Sequence, residues 1–304
     1  MKQAIYRWRR KTPGEKVFIV MNVLLLSVCA VVILYPIFYQ IYNSVFLYYG
    51  VVYRYQDYSH CTRVFSLEAW RRVLLREGFW KSVFNSVART FIGTVLSLCM
   101  TAFLAFILSC REIRWRYQMS FFWVLTFFLD AGIIPKIFYY NIIGLIPSFW
   151  VYVLPMAINA LYLVLMRSYM EGLPQELNEA AVLDGAGYWK RFTKVVLPQC
   201  KPIIAAVTLF TAASLWYSWF DTLIYNRLNT DFTTLAYHYF VNSPLVTIID
   251  FRVYNSNPGS PRICCTLGSY ESVLFCMLCI PILILFFFCR KYFTPEIVSE
   301  KMKK

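Results

Sequence analysis

Long apolar runs alternate with short polar segments along the whole chain. The runs lie at residues 17–39, 83–109, 120–140, 149–170, 203–225 and 272–288. Each is close to the roughly 20 residues that an α-helix needs to cross the hydrocarbon core of a bilayer. The pattern predicts an all-α membrane protein with six transmembrane helices. The predicted membrane domain covers residues 17–293, between tails at 1–16 and 294–304.

Basic residues set the predicted orientation. The tail at 1–16 carries six Lys and Arg residues, and such segments remain on the cytoplasmic side. The first apolar run is too long for a cleaved signal peptide and lacks a small-residue cleavage site. The segment at 40–81 is then external, although it also carries six basic residues, and a helix that begins at Ser66 is expected within it. Because the cytoplasmic segments together hold about twice as many basic residues as the external ones, both termini are predicted to be cytoplasmic.

Composition excludes a soluble globular protein. Of the 304 residues, 59% are hydrophobic and 15% are charged, whereas soluble domains are about 25% charged. A net charge of +14 suggests nucleic-acid binding in a soluble chain. Here basic residues gathered at a membrane surface explain that charge, so membrane lipid and not nucleic acid is the expected partner.

Two common catalytic motifs are absent from the chain. It has no Gly-x-x-x-x-Gly-Lys-Ser/Thr sequence and no Gly-x-Ser-x-Gly sequence. The pair Cys276-x-x-Cys279 has no second pair beside it, so we predict no metal and no catalytic residues. A disulfide among the external Cys61, Cys264 and Cys265 is left open. Any ATP that drives this protein must be hydrolysed by another polypeptide.

One polar stretch, residues 173–202, stands apart from the apolar runs around it. Pro174 suits the first turn of a helix, and Gly185 and Gly187 predict a turn before a second short helix. Pro198 is expected to end that second helix. Its predicted apolar face is Trp189, Phe192, Val195 and Val196, and its predicted polar face is Lys190, Arg191 and Lys194. From this pattern alone, the stretch is an amphipathic hairpin on a membrane surface.

The individual residues of this stretch suggest something more specific. Glu179-Ala180-Ala181, followed by Asp184-Gly185-Ala186 and then by Leu197-Pro198, resembles the EAA loop of permease subunits of ABC importers. The resemblance implies the type I ABC importer permease fold and a loop that docks on a separate ATPase. The implied ATPase contacts are Glu179, Ala180, Ala181, Asp184, Gly185 and Ala186. The resemblance also implies that ATP and Mg belong to the partner ATPase and that this chain holds no cofactor.

The resemblance extends beyond the loop and favours the second permease of carbohydrate importers, in the group linked to oligosaccharides such as aldouronates. It includes a Phe/Trp and Asn-Ser lead-in at 79–91, Gly-Ile-Ile-Pro at 132–135, and a Trp-rich segment at 215–225. It implies a second permease, two ATPase subunits and an external solute-binding lipoprotein as partners, in a bacterial plasma membrane. The tail keeps Lys291-Tyr-Phe293 but lacks the glycine-rich ending of that group.

Polar residues within the apolar runs are candidates for a solute path, because such residues rarely face lipid. The candidate path residues are Asp130, Trp216, Trp219 and Asp221. Trp and Tyr residues also form belts at membrane interfaces, which is the alternative for the tryptophans. For Asn85 and Arg89 we expect an interfacial cap and a snorkelling arginine rather than a path role.

A second class of function remains open. A self-sufficient secondary transporter or channel for a polar solute would use Asp130, Lys136 and Asp221 as ion sites. No inverted repeat and no pair of broken helices is evident in the sequence, so the importer permease is the preferred prediction.

Overall fold

A computed structural model describes residues 12–50, 62–129, 131–227, 229–242, 262–264 and 267–292. Most of both predicted tails lies outside the described residues. The chain forms two compact units. One comprises Met1–Arg72 and Thr247–Cys276, and the other comprises Val73–Val246 and Met277–Lys304.

The first unit contains helix α1 and a small sheet. Helix α1 covers Pro13–Val45, and its start is fixed by a capping box. Thr12 Oγ1 accepts from the Glu15 N–H, and Glu15 Oε2 accepts from the Thr12 N–H. This arrangement satisfies two backbone donors that a helix start otherwise leaves free. The most apolar 18-residue window of α1 has no buried residue, so this helix presents hydrocarbon around its whole circumference.

The sheet has three strands: β1 at Phe46–Gly50, β2 at Thr62–Phe65 and β3 at Arg262–Cys264. The order is β2-β1-β3, and both pairings are antiparallel. Sequence analysis did not predict strands here. β1 continues directly from α1 within one apolar stretch, and its partner β3 is about 200 residues away, so neither period nor turn signals mark the sheet.

The second unit is built from helices around α3. The helices and their bounds are α2 Glu68–Leu74, α3 Phe79–Ser109, α4 Arg116–Phe128, α5 Ile133–Ile142, α6 Ala160–Glu171, α7 Gln175–Leu183, α8 Tyr188–Gln199, α9 Lys201–Tyr217, α10 Phe220–Tyr225, α11 Leu235–Tyr237 and α12 Leu267–Cys289. Helices α2 and α12 each cross the boundary between the units. Within the described residues, four helical segments are long and apolar enough to span a membrane, or up to six if each bent pair counts as one span.

The core of the second unit lies where α3 packs against α6, α8 and α9. It includes Ala105, Phe106, Leu163, Met166 and Phe192. A methyl group at position 93 would come within 2.7 Å of Leu215 Cδ1, so a larger residue there would require the Leu215 side chain to shift. Small residues at such positions let transmembrane helices pack closely, because lipid provides no hydrophobic drive between them.

Three of the apolar runs are not single helices. The run at 120–140 is divided between α4 and α5, which differ in direction by 112°. The run at 149–170 begins with two short 3₁₀ turns, Phe149–Tyr152 and Leu154–Met156, before α6. The run at 203–225 is interrupted after Tyr217. Apolar composition marks a membrane segment but does not show where its backbone breaks.

The second helix of the 173–202 stretch ends one residue beyond Pro198, close to the predicted end. Helix α8 continues through Pro198 to Gln199. Its middle part, Arg191–Val196, is a π-helical turn. A proline has no N–H to donate, and a π turn shifts the hydrogen-bond pattern just before it, so the two occur together without a break.

Candidate functional site

Residues 173–202 form a helical hairpin of α7 and α8. Helix α7 ends in a Schellman motif, in which the Ala186 N–H donates to Ala181 O at 2.9 Å and the Gly185 N–H donates to Val182 O at 3.0 Å. Gly185 has φ of +71°, as this motif requires at that position. The turn is therefore a defined, hydrogen-bonded element.

The six predicted ATPase contacts are not equally accessible. Glu179, Ala180, Asp184 and Gly185 are exposed, Ala186 is half-buried and Ala181 is buried. Of the two alanines, one thus packs inward while the other lies on the outer surface of α7. A small exposed residue between polar ones lets another surface approach the helix backbone closely.

Apolar side chains are also exposed around the turn of the hairpin. Leu183 is 88% exposed, Trp189 is 66% exposed, and Leu177, Val182 and Tyr188 are exposed as well. The hairpin therefore presents a mixed apolar and acidic surface. Exposed apolar side chains grouped in this way are characteristic of a protein interface.

Arg191 is not on the polar outer face of the second helix, as the helical spacing predicted, but is 3% exposed. Its Nη2 atom lies 2.9 Å from Glu112 Oε1, and its Nε–H donates to Asn178 Oδ1 at 2.9 Å. The Tyr188 hydroxyl donates to Glu112 Oε2. The π-helical turn that begins at Arg191 changes the period from 3.6 residues, so the predicted faces do not apply.

The Arg191 guanidinium also affects the acidity of its partner. Its hydrogen bonds, followed by that from Tyr188, hold the pKa of the Glu112 carboxyl below its usual value. Glu112 is consequently ionised at neutral pH. It lies in the turn between α3 and α4, so this ion pair joins the hairpin to a separate part of the chain.

A second buried arginine lies near the opposite end of α3. Arg89 is 1% exposed, and its Nη2 atom lies 2.9 Å from Asp221 Oδ2. The guanidinium also lies over the Tyr152 ring, at 4.9 Å from the centroid. The expectation of a snorkelling arginine is therefore wrong. A carboxylate from α10 is available inside the protein, so the charge need not reach water.

The same face of α3 holds the segment at 229–238. Asn85 Nδ2 donates to Asp231 O at 2.7 Å and to Thr233 O at 3.1 Å. Ser86 Oγ accepts from the Leu235 N–H at 2.8 Å. Asn85 is consequently not an interfacial cap of its own helix, because its amide binds the backbone of a distant segment.

Ser82 adds two further contacts between α3 and this segment. Its hydroxyl lies 2.8 Å from Thr233 Oγ1 and 2.8 Å from His238 Nε2. Burial, with the positive charge of Arg76, lowers the pKa of His238 to about 4. The imidazole is therefore neutral over the physiological range.

The candidate path residues do not form one group. Trp216 is buried, and its Nε1–H donates to Leu278 O at 2.9 Å, so its indole packs between helices. Trp219 is half-buried and stacks on Phe240, with centroids 5.2 Å apart. Asp221 binds Arg89, Lys136 is half-buried in α5, and Asp130 lies outside the described residues.

Two further questions from the sequence concern a metal site and a disulfide. Within the described parts of the chain, no group of three His, Cys, Asp or Glu side chains is placed to hold a metal ion. Cys61 and Cys265 lie outside the described residues, so the disulfide question stays open.

The sequence analysis did not predict two ion pairs, Arg89 with Asp221 and Arg191 with Glu112. One signal was present, since Ser82, Asn85, Ser86 and Arg89 recur at helical spacing and give α3 a polar stripe. Asp221 was singled out, but only as a residue that favoured a solute path. Glu112 carried no signal, because a single acid in a basic turn has no distinguishing pattern.

Comparison with known proteins identifies the class. Residues 78–220 match the family described as the binding-protein-dependent transport system inner membrane component. The polygalacturonan/rhamnogalacturonan transport system permease protein YtcP of Bacillus subtilis is 34% identical over 161 residues, which are 53% of this chain and 56% of YtcP. Protein LplC of the same organism is 29% identical over 214 residues, 70% of this chain and 72% of LplC.

Solved structures agree. A bacterial ABC transporter that imports the acidic polysaccharide alginate contains a chain that is 27% identical, with a TM-score of 0.78 over 93% of this chain and 99% of that one. Another chain, from an alginate ABC transporter in complex with an alginate pentasaccharide-bound periplasmic protein, matches with a TM-score of 0.57 at 13% identity, which supports the fold alone.

The fold is that of ABC importer permeases, so the predicted fold class is confirmed. The chain is a membrane-embedded transport subunit and not an enzyme. YtcP and the alginate transporter are both named for the transport of polysaccharides.

Proposed function

We propose that this chain forms half of the translocation path for an oligosaccharide and couples to a separate ATPase through the α7–α8 hairpin. The observation that carries the proposal is the Schellman-capped turn with Glu179, Ala180 and Asp184 exposed around it. A hydrogen-bonded turn transmits displacement without deforming. A mixed apolar and acidic surface suits a partner that binds and rearranges repeatedly.

The proposed assembly contains a second permease, two ATPase subunits and an external solute-binding lipoprotein. ATP and Mg are held by the ATPases, and none is held by this chain. Binding of ATP closes the ATPases, the hairpin moves with them, and the two permeases change from inward-open to outward-open. Both termini of this chain lie in the cytoplasm, so the hairpin is on the side where the ATPases are.

An oligosaccharide is the proposed solute class because YtcP and the alginate importer both handle polysaccharides. Among the candidate path residues, the half-buried Trp219 supplies an aromatic face, and the partly exposed Asp221 carboxylate supplies a hydrogen-bond acceptor. Sugars bind through these two kinds of group. Trp216 is left out of the proposed path because its indole is enclosed.

The hairpin is tested by a pair of glycine variants in the complete assembly. Gly185→Val places a β-branched residue at a φ of +71°, where a non-glycine residue costs about 1–3 kcal/mol, and should stop ATP-driven uptake while membrane insertion continues. Gly187→Ala, in the same turn but with φ of −66°, is the control and should transport normally. Normal uptake by Gly185→Val would show that the hairpin does not couple.

The alternative, a self-sufficient transporter, has its own measurement. The purified chain is placed alone in proteoliposomes with an ion gradient and a labelled oligosaccharide. We expect no uptake until the ATPase, the second permease and the binding protein are supplied with ATP. Gradient-driven uptake by the chain alone would establish the alternative.

A further inference from the structure

We propose that Glu112 is a positioning residue for coupling, which makes the turn between α3 and α4 move as one body with the α7–α8 hairpin. This inference rests on the proposed function of the hairpin. It adds a second element, residues 110–115, to the part of the chain that receives force from the ATPase.

The geometry joins three separate segments through one side chain. Arg191 lies on α8, Asn178 lies on α7, and Glu112 lies in the turn that follows α3. The guanidinium donates to Glu112 Oε1 at 2.9 Å and Oε2 at 3.3 Å, while its Nε–H donates to Asn178 Oδ1 at 2.9 Å. Both arms of the hairpin are thus fixed to the turn by the same group.

An arginine is required for this arrangement. Its planar guanidinium has five donors in fixed directions, so it binds a carboxylate at one edge and an amide oxygen at the other. A lysine ammonium is a point charge and cannot hold both partners in the same plane. Arg191 is 3% exposed, so water reaches the junction from the side of the half-exposed Glu112 carboxylate.

Tyr188 strengthens the junction from the hairpin side. Its hydroxyl donates to the same Glu112 carboxylate, and its ring lies under the Arg191 guanidinium, with Cζ 5.0 Å from the centroid. Glu112 therefore receives contacts from two residues of α8. The connection is a fixed network, which differs from a single mobile surface ion pair.

The position of Glu112 along the chain determines which segments the network can move. Helix α3 ends at Ser109 and α4 begins at Arg116, so the turn lies between two membrane-spanning segments. A displacement of the hairpin that reaches Glu112 is delivered to both segments at once. The apolar contacts of the hairpin with α3, such as Phe192 against Phe106, have no fixed hydrogen-bond geometry and can slide.

The same surface offers a matched control. Arg167 Nη2 lies 2.9 Å from Glu171 Oε1, but both residues belong to α6 and are one helical turn apart. That pair has the same chemistry as Glu112–Arg191 but lies within one helix, and only its arginine reaches another element, over the Tyr117 ring of α4 at 6.0 Å. Glu171→Gln therefore removes a carboxylate of this region without touching the proposed junction.

The experiment measures oligosaccharide uptake per ATP hydrolysed, with the complete assembly in proteoliposomes. Coupling between sites typically corresponds to about 5–150-fold, so Glu112→Gln and Arg191→Lys are expected to lower this ratio by about fivefold or more. Glu171→Gln should leave the ratio unchanged. The swapped double variant, Glu112→Arg with Arg191→Glu, should recover part of the loss seen in its two single changes.

Three outcomes would overturn the inference. The first is an unchanged uptake per ATP in Glu112→Gln, and the second is an equal loss of uptake per ATP in Glu171→Gln. The third is a swapped variant whose loss is the sum of the two single losses, because additive losses mean that the two sites do not interact. If Gly185→Val uncouples the assembly and Glu112→Gln does not, this inference fails while the function of the hairpin stands.

A second measurement applies if a Glu112 variant is poorly folded. Hydrogen exchange of the wild-type assembly, with and without ATP, reports the amides of the 110–115 turn and of the hairpin. Parallel changes in both segments support the inference. A change in the hairpin alone contradicts it.

Discussion

The two buried arginines of the second unit, Arg89 and Arg191, have almost the same exposure but different acidic partners. The Asp221 side chain is 16% exposed, whereas the Glu112 side chain is 46% exposed. Arg89 belongs to an apolar run predicted to cross the membrane. Arg191 belongs to the α7–α8 hairpin, which is predicted to lie at the membrane surface. Two ion pairs of the same type, each between an arginine and a carboxylate, therefore lie in different surroundings.

The difference bears on which contacts are able to change during transport. A buried pair in apolar surroundings is costly to separate, because each charge loses its counter-charge where water cannot replace it. A pair with one half-exposed member is solvated when it opens and is easier to rearrange. We infer that the Arg89 end of α3 is the more firmly fixed end, because opening its ion pair costs more than opening the Arg191 pair.

The largest predicted effect is at Asp221. Asp221→Asn leaves the Arg89 charge buried without a counter-charge, which costs about 3–5 kcal/mol. The thermal unfolding midpoint of the purified assembly in detergent should fall accordingly. In the double variant Arg89→Met with Asp221→Leu, no charge is stranded and most of the stability should return. An unchanged midpoint in Asp221→Asn would contradict the account of a closely coupled pair.

The second-largest predicted effect is a pH dependence of stability at the Arg89 end of α3, where His238 contacts Ser82. The lowered pKa of His238 means that the unfolded chain binds a proton near pH 6.5, whereas the folded chain binds it only near pH 4. Stability is therefore complete above pH 6.5 and falls as the pH drops towards 4, by at most about 3 kcal/mol. Unfolding midpoints measured between pH 7 and pH 4 should show this loss, and His238→Asn should reduce it. A variant with the wild-type slope would exclude His238 as its source.

The Glu112 end responds in a different pH window. Its lowered pKa means that the stabilising charge is complete above about pH 4.5 and is lost as the pH falls through the lowered value. Because Glu112 is half-exposed, Glu112→Gln should cost only about 1 kcal/mol in the same unfolding assay. A cost as large as that of Asp221→Asn would remove the contrast between the two pairs.

How much of this was available from the sequence differs between the two ends. The hairpin was predicted because Gly185, Gly187 and the polar stretch have strong local signals. The Arg89–Asp221 pair was not predicted, because its members are 132 residues apart and no local pattern links them. Arg191 was placed on the wrong face because the π-helical turn has no recognised sequence signature. Local sequence patterns predicted short elements such as the hairpin, but they did not predict which distant residues pair with one another.

The smallest predicted effect separates charge from backbone anchoring at the Arg89 end. Lys81 pairs with Asp231, but both side chains are more than half exposed. Lys81→Met should therefore change the unfolding midpoint by less than the equivalent of about 1 kcal/mol, and the change should vanish in high salt. Asn85→Leu, which removes two hydrogen bonds to the same segment, should cost more and should not depend on salt. If Lys81→Met were the more damaging variant, the segment at 229–238 would be held by surface charge, and the fixed end of α3 would have to be explained without its polar stripe.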